Sequence, residues 1–347
     1  MKTVKNLKTN YSKTSWLIIH AKLGHINKQT LEAMSKNGTI KGLNYEDIDW
    51  HNTDCLICAQ SKLRQFKVPR KALRETGRPF STGSIDLYGP IAVPSLSGYR
   101  YGLMFIDNDS SYGMVEFLKT KQFHELVGAI KKWKLTISNL GFELNIIQAD
   151  SDTIFEDERF TRSLRDLNIE LQYTPPGAHQ LNGMVERMIQ TIAAMSRSML
   201  IASGLPLKYW TYAMNYAMLI YNCTLKTRFR SDELRKYRSP YESILGGKPI
   251  FNFPIFGCIM VTKYPEANRL PALANRGRTT AFLGFDSQHH NCYIGLHLKT
   301  NRIIESKDVK IFEDYYAYTF EPTIMHILIS SLVNVKILNT KSLDLKF

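Results

Sequence analysis

The 347-residue sequence has no unbroken run of about 20 apolar residues, the length that a membrane-crossing helix needs, so no membrane partner is expected. The tail stretch IMHILISSLVNVKIL comes nearest, but His, Ser, Asn and Lys interrupt it. An apolar signal segment at the start is also missing, and the five cysteines form no even set. These absences argue against a disulfide-stapled secreted scaffold and for a reducing interior compartment. There is no internal repeat and no low-complexity segment, which removes solenoids and disordered tracts from consideration. Acidic side chains are scarce relative to basic ones, 31 against 45, giving a formal charge of +14 and a pI near 9.4. Such a surplus suits a polyanionic partner, because Lys and Arg release condensed counterions from nucleic acid when they bind it.

What is present is enough for real cores: 44% hydrophobic and 11% aromatic residues in a chain long enough for two or three domains. Residues 1–74 carry 14 basic and 5 acidic side chains, residues 75–235 carry 17 of each, and residues 236–316 carry 11 and 7. The positive excess thus flanks a neutral middle, as expected if the flanks hold a polyanion around a worker domain.

Patterning divides the chain further. The segments SWLIIHAKL and TLEAMSK read as short helices, the second closed by Asn37-Gly38. A basic linker follows, SKLRQFKVPRKALRET, in which Lys62, Arg64, Lys67, Arg70 and Lys71 can meet phosphates. Residues 84–93, 101–107 and 112–118 alternate as strands of an antiparallel meander. Helical spacing covers 121–139, and LNIIQAD at 144–150 and IELQYT at 169–174 are short strands. Helices over about 183–203 and 206–223 are parted by Gly204 and Pro206. Together these predict an α/β mixed sheet with flanking helices, then short strands over 250–316 as in a small β-rich domain.

Two constellations carry chemistry. His20-x4-His25 and Cys55-x2-Cys58 supply two nitrogens and two sulfurs, a set suited to tetrahedral Zn²⁺, with His51 a substitute ligand. Asp86 in SIDLYG, Asp150 ending IIQAD and Glu186 on the first turn of the helix after YTPPGAHQLNG bring three carboxylates from a sheet and a helix. Such a set can hold two divalent cations with positions left for phosphate oxygens, which points to phosphodiester chemistry. Glu186 taken alone reads first as an ordinary first-turn acid favoured by the helix dipole, ahead of a catalytic role.

In order along the chain, the His-His-Cys-Cys pattern, SIDLYGP, FIDNDSSYG, IIQAD, TPPGAHQLNGMVER, SGLPLKYW, SPYESILGGKPIFNFPIFGC, TAFLGF and IIESKDVKIFED resemble the successive blocks of integrases of copia-type LTR retrotransposons. The resemblance spans about residues 16–316. It implies a small helical zinc domain (1–61), the basic linker (62–76), a ribonuclease-H-like core with a mixed five-stranded sheet (77–235) and a basic β-rich C-terminal domain (236–316), with an atypical tail (317–347). Carried over by position, Asp86, Asp150 and Glu186 are the triad that binds Mg²⁺ or Mn²⁺. His179, Gln180, Asn182, Arg187, Gln190 and Arg197 are then expected to contact DNA. The implied partners are element cDNA ends and target DNA, with a homo-oligomer and action in the nucleus after passage through the cytoplasm. The family shows D-x-G-x-E-F after its second Asp, whereas residues 150–155 read DSDTIF, with Asp152 in place of the glycine and Ile154 in place of the acid. The alternative reading is therefore an inactive relic that only binds DNA.

Overall fold

In a computed structural model, the described residues are 14–50, 54–62, 78–150, 155–173, 183–225, 238–249, 252–264, 276–286 and 292–317. The alternating segments of the middle become β3 (Thr82–Tyr88), β4 (Tyr101–Asp107) and β5 (Gly113–Leu118). They follow a short β1 (Thr14–Ser15) and β2 (Ile48–Asp49), which pair parallel to each other. Strand β3 ends before the Gly89-Pro90 step rather than running to Val93, since Pro90 has no N–H to continue a ladder. The three strands form the expected meander, with β3 antiparallel to β4 from Gly83↔Asp107 to Tyr88↔Gly102 and β4 antiparallel to β5.

After α4 (Phe123–Asn139), strand β6 (Ile146–Ala149) joins the far side of β3 in parallel, and after α5 (Glu158–Asp166), β7 (Glu170–Tyr173) adds parallel to β6. The sheet order is β5-β4-β3-β6-β7. An antiparallel meander extended by two helix-linked parallel strands is the mixed sheet that the patterning predicted and the ribonuclease-H-like arrangement that the resemblance implied.

Strand alternation sorts the sheet into two faces. Ile85, Leu103, Phe105, Ile147 and Ala149 point one way and form one core with Leu126, Ile130, Trp133 and Ile137 of α4 and Phe160 and Leu164 of α5. The opposite face carries Ser84, Asp86, Met104, Ile106, Gln148 and Asp150, and at its β5 edge it packs against α6 (Gly183–Ser203) and α7 (Trp210–Cys223). Gly113, opposite Ile106, marks this packing: a Cβ there would meet Met188 Sδ of α6 at 2.7 Å and Met218 Sδ of α7 at 2.6 Å. Asn222 of α7 clasps the same glycine, accepting from its N–H and donating to its carbonyl at 2.7 and 2.9 Å.

The N-terminal helices are α1 (Trp16–Lys22), α2 (Lys28–Lys36) and α3 (Leu56–Ser61). Side chains cap the first two, with Ser15 Oγ accepting from Leu17 N–H and Asn27 Oδ1 from Thr30 N–H. Their apolar faces bury Trp16, Ile19, Leu31 and Met34.

The chain divides into two compact units, residues 1–199 with 207–253 and residues 200–206 with 254–347. Helix α8 (Pro240–Leu245) lies in the first, because Ile244 joins the core cluster of the sheet. The second unit holds β8 (Cys258–Lys263), β9 (Gly277–Phe285), β10 (Tyr293–His297), β11 (Arg302–Ser306) and β12 (Val309–Tyr316), an antiparallel sheet ordered β11-β10-β9-β8-β12. Phe256, Met260, Phe282 and Leu296 make its core.

Candidate metal centre and acidic face

Helix α1 and the turn after it bring His20 and His25 together, and α3 presents Cys55 and Cys58 at its start. One ligand atom from each of these four lies within 4.8 Å of all the others. His20 Nε2 is 3.1 Å from His25 Nδ1 and 3.2 Å from Cys58 Sγ, while Cys55 Sγ and Cys58 Sγ lie 3.4 and 3.8 Å from His25 Nδ1. Zinc bonds of about 2.0 Å to nitrogen and 2.3 Å to sulfur imply tetrahedral edges of about 3.3 to 3.8 Å, so the four atoms fit a zinc ion. His20 Nδ1 lies 2.6 Å from the Ile26 carbonyl. Donation there fixes the tautomer that turns Nε2 to the ion.

Burial holds both imidazoles neutral, with pKa values lowered to about 4 for His20 and about 3 for His25, where the neighbouring His20 and Lys62 add to the effect. Burial also pushes the Cys58 thiol up to about 11. A cation between the sulfurs would favour the thiolate and release its proton. Lys62, expected at DNA, donates to the His25 carbonyl beside this cluster. Arg64, Lys67, Arg70, Lys71 and His51 lie outside the described residues.

The zinc-type module is anchored on α6. Ser61 Oγ and Ser198 Oγ are 2.6 Å apart and both serines are buried. Arg197 Nη1 donates to the Ser61 carbonyl at 2.6 Å, a C-terminal cap for α3. That bond takes up part of a guanidinium expected at DNA. Gly24, with φ of +63°, faces Met195 and Met199 of the same helix, where a Cβ would come within 2.6 and 2.8 Å.

Asp86 and Asp150 follow the same register pair. The parallel register pairs Ser84 with Gln148, and each acid lies two residues further along the same face. Strands run about 4.8 Å apart where they pair, and both acids lie just beyond the point where the β3–β6 pairing stops. Both are half-buried, and Asp86 Oδ1 accepts from Leu87 N–H at 2.7 Å. Glu186, also half-buried, lies on α6 two residues before Met188, about 200° round the helix from the side chain that meets Gly113 and on the same side as Arg197. Among the described residues the cluster close enough to share an ion is His20, His25, Cys55 and Cys58, and the three acids are not drawn into such a group. Arg187 and Gln190 are exposed on α6. His179, Gln180, Asn182, Asp152 and Ile154 lie outside the described residues.

Sequence reasoning missed the polar groups below the acids. Asn108, just past β4, accepts from Ser84 Oγ at 2.8 Å and donates to Gln148 Oε1 at 2.9 Å. Its neighbour Asp107 is wholly buried, accepting from Phe80 N–H, Ser110 N–H and Ser110 Oγ, and burial raises its pKa despite those bonds. The block FIDNDSSYG flagged this turn but not its bonding.

No family model matches the chain. It is 27% identical over 229 residues to the Transposon Ty1-NL2 and Ty1-LR3 Gag-Pol polyproteins of Saccharomyces cerevisiae, a match covering 63% of this chain and 13% of each polyprotein. The chain thus spans a small fraction of the length of those relatives. Among solved structures, the HTLV-2 integrase catalytic core domain in complex with magnesium aligns in its trimeric form with a TM-score of 0.36, 17% identity, 49% of this chain and 99% of that one. Its dimeric form aligns with a TM-score of 0.32, 21% identity, 42% of this chain and 87% of that one. The similarity to Ty1 Gag-Pol polyproteins bears out the resemblance to integrases of copia-type LTR retrotransposons that the ordered motifs carry.

Proposed function

We propose that the chain is an integrase-like polynucleotidyl transferase that joins the 3′ ends of element cDNA to target DNA. The observation that carries this reading is that Asp86, two residues past Ser84 in β3, and Asp150, directly after β6, both follow the last register pair of two adjacent parallel strands. Three carboxylates are hard oxygen donors and fit Mg²⁺ or Mn²⁺. Ions held there would activate the attacking 3′-hydroxyl and stabilise the leaving oxygen of an in-line transesterification.

The chain's own residues prepare that step. Asp86 and Asp150 would supply ligands from the sheet and Glu186 from α6. The buried Met104 and Ile106, paired beside Asp86 and Ser84, keep water from that part of the face. Basic residues flanking the core would hold the two DNA segments, and a homo-oligomer would bring two cDNA ends together. The activity belongs in the nucleus, with the cytoplasm as the route to it. The zinc-type module serves as a structural support for α6 rather than as part of the chemistry.

Purified protein incubated with labelled element ends and plasmid in Mn²⁺ should give joined product, and Glu186→Gln should abolish it. Salt-sensitive DNA binding with no joined product, restored by Asp152→Gly with Ile154→Glu, would locate the defect in the altered DSDTIF turn. Binding without joining in every variant would instead favour the inactive relic.

A further inference from the structure

Below the acid pair lies a three-residue polar bridge that the proposed reaction does not use directly. Ser84 of β3 is wholly buried, and its hydroxyl donates to Asn108 Oδ1 at 2.8 Å. Asn108 Nδ2 donates to Gln148 Oε1 of β6 at 2.9 Å. Ser84 and Gln148 are the last register pair between β3 and β6, and the next residues on their face are Asp86 and Asp150. Only three residue pairs, Thr82↔Ile146, Gly83↔Ile147 and Ser84↔Gln148, join β3 to β6, so the ladder itself gives out below the carboxylates.

The asparagine is well held for such a bridge. Its backbone N–H donates to the Thr82 carbonyl at 3.0 Å. The preceding Asp107 pins the turn through Phe80 and Ser110. A side-chain amide fixed at both ends sets a distance between two strands more sharply than apolar packing does, because each bond has a narrow length and direction.

We propose that Asn108 is a positioning residue that sets the separation of the Asp86 and Asp150 carboxylates for divalent-cation binding. This rests on the acidic-face reading above. Asn108→Leu removes both bonds at similar volume. Asn108→Asp retains them, since its carboxylate accepts from Ser84 and from the Gln148 amide once that amide rotates. Gln148→Met cuts only the β6 arm at a half-buried position, so it reports even if the leucine variant does not fold.

The test uses the full chain loaded with zinc and titrates Mn²⁺, following the bound fraction by electron paramagnetic resonance. Loss of such supporting bonds commonly weakens metal affinity by about tenfold or more. Asn108→Leu and Gln148→Met should therefore raise the Mn²⁺ dissociation constant about tenfold, with melting temperature and zinc content held, while Asn108→Asp binds like wild type or tighter. The double variant Asn108→Asp with Gln148→Met keeps the added charge but not the bridge, and it should bind weakly. Wild-type affinity in Asn108→Leu and Gln148→Met, or in the double variant, overturns the inference while Asp86→Asn still weakens binding. If Asp86→Asn itself leaves Mn²⁺ binding unchanged, the acidic-face reading fails first and takes the inference with it.

Discussion

Replacing Cys58 with serine should remove one ligand of the zinc site proposed for His20, His25, Cys55 and Cys58 and loosen the module built around it. The four ligand atoms lie within 4.8 Å of one another, and the helices they tie together have only seven, nine and six residues. Isolated helices of that length are marginal in water, so their order depends on packing and on the metal. Zinc present at about a thousand times its dissociation constant stabilises the folded state by about 4 kcal/mol. Spread over a unit of roughly 150 to 250 residues, each 1 kcal/mol moves the melting temperature by about 2 to 4 °C. Cys58→Ser, or chelation of the wild type, should therefore lower the transition of the first unit by roughly 8 to 16 °C. Amide exchange should rise first in α1 and α3, then in the α6 turn that carries Arg197 and Ser198. Calorimetry with and without chelator and a zinc assay check this. One zinc per chain retained by Cys58→Ser, together with a melting temperature that chelation does not move, would refute the reasoning.

Other perturbations have defined outcomes. Gly83→Ala would place a Cβ 2.0 Å from Cε2 of the buried Phe105 ring, which Trp133 also packs against, so urea denaturation should show a loss of about 1 to 3 kcal/mol. Asp107→Asn leaves Ser110 N–H and Oγ facing an amide donor, which should cost about 1 to 3 kcal/mol. Because burial raises the folded-state pKa of Asp107, its contribution is full below the unfolded value and falls as pH rises through the folded one, so the wild type's advantage over Asp107→Asn should shrink from acid to neutral pH. Arg197→Ala removes the bond to the Ser61 carbonyl and should speed amide exchange in α3, at a cost of about 1 kcal/mol, with zinc still bound.

The meander, the helix-linked parallel strands and the helices of the core were legible in the sequence because their apolar residues recur at spacings of two or of three and four. The His-Cys pattern was legible because metal ligands need particular atoms at short loop spacings. Bonds between residues far apart in the chain were not. Asn108 lies 40 residues from Gln148 and 24 from Ser84, and nothing in FIDNDSSYG shows which strands it will join. Arg197 reads as an exposed helix residue suited to phosphate, yet it caps α3 through Ser61, 136 residues earlier. Lys62 reads as linker charge, yet it turns to the His25 carbonyl. Long flexible cations are poor guides to their own partners, since their reach spans solvent, carbonyls and phosphates alike. That Asp86 and Asp150 both follow the Ser84–Gln148 pair needed the register, which single strand patterns do not reveal.

The central claim is that the sheet face beneath α6 holds divalent ions between its acids. Crystals of the zinc-loaded chain soaked in Mn²⁺ and measured at the manganese edge test it most directly. The expected result is an anomalous peak between Asp86 and Asp150 that vanishes in Asp86→Asn. Manganese bound elsewhere, with none at those two carboxylates, would contradict it.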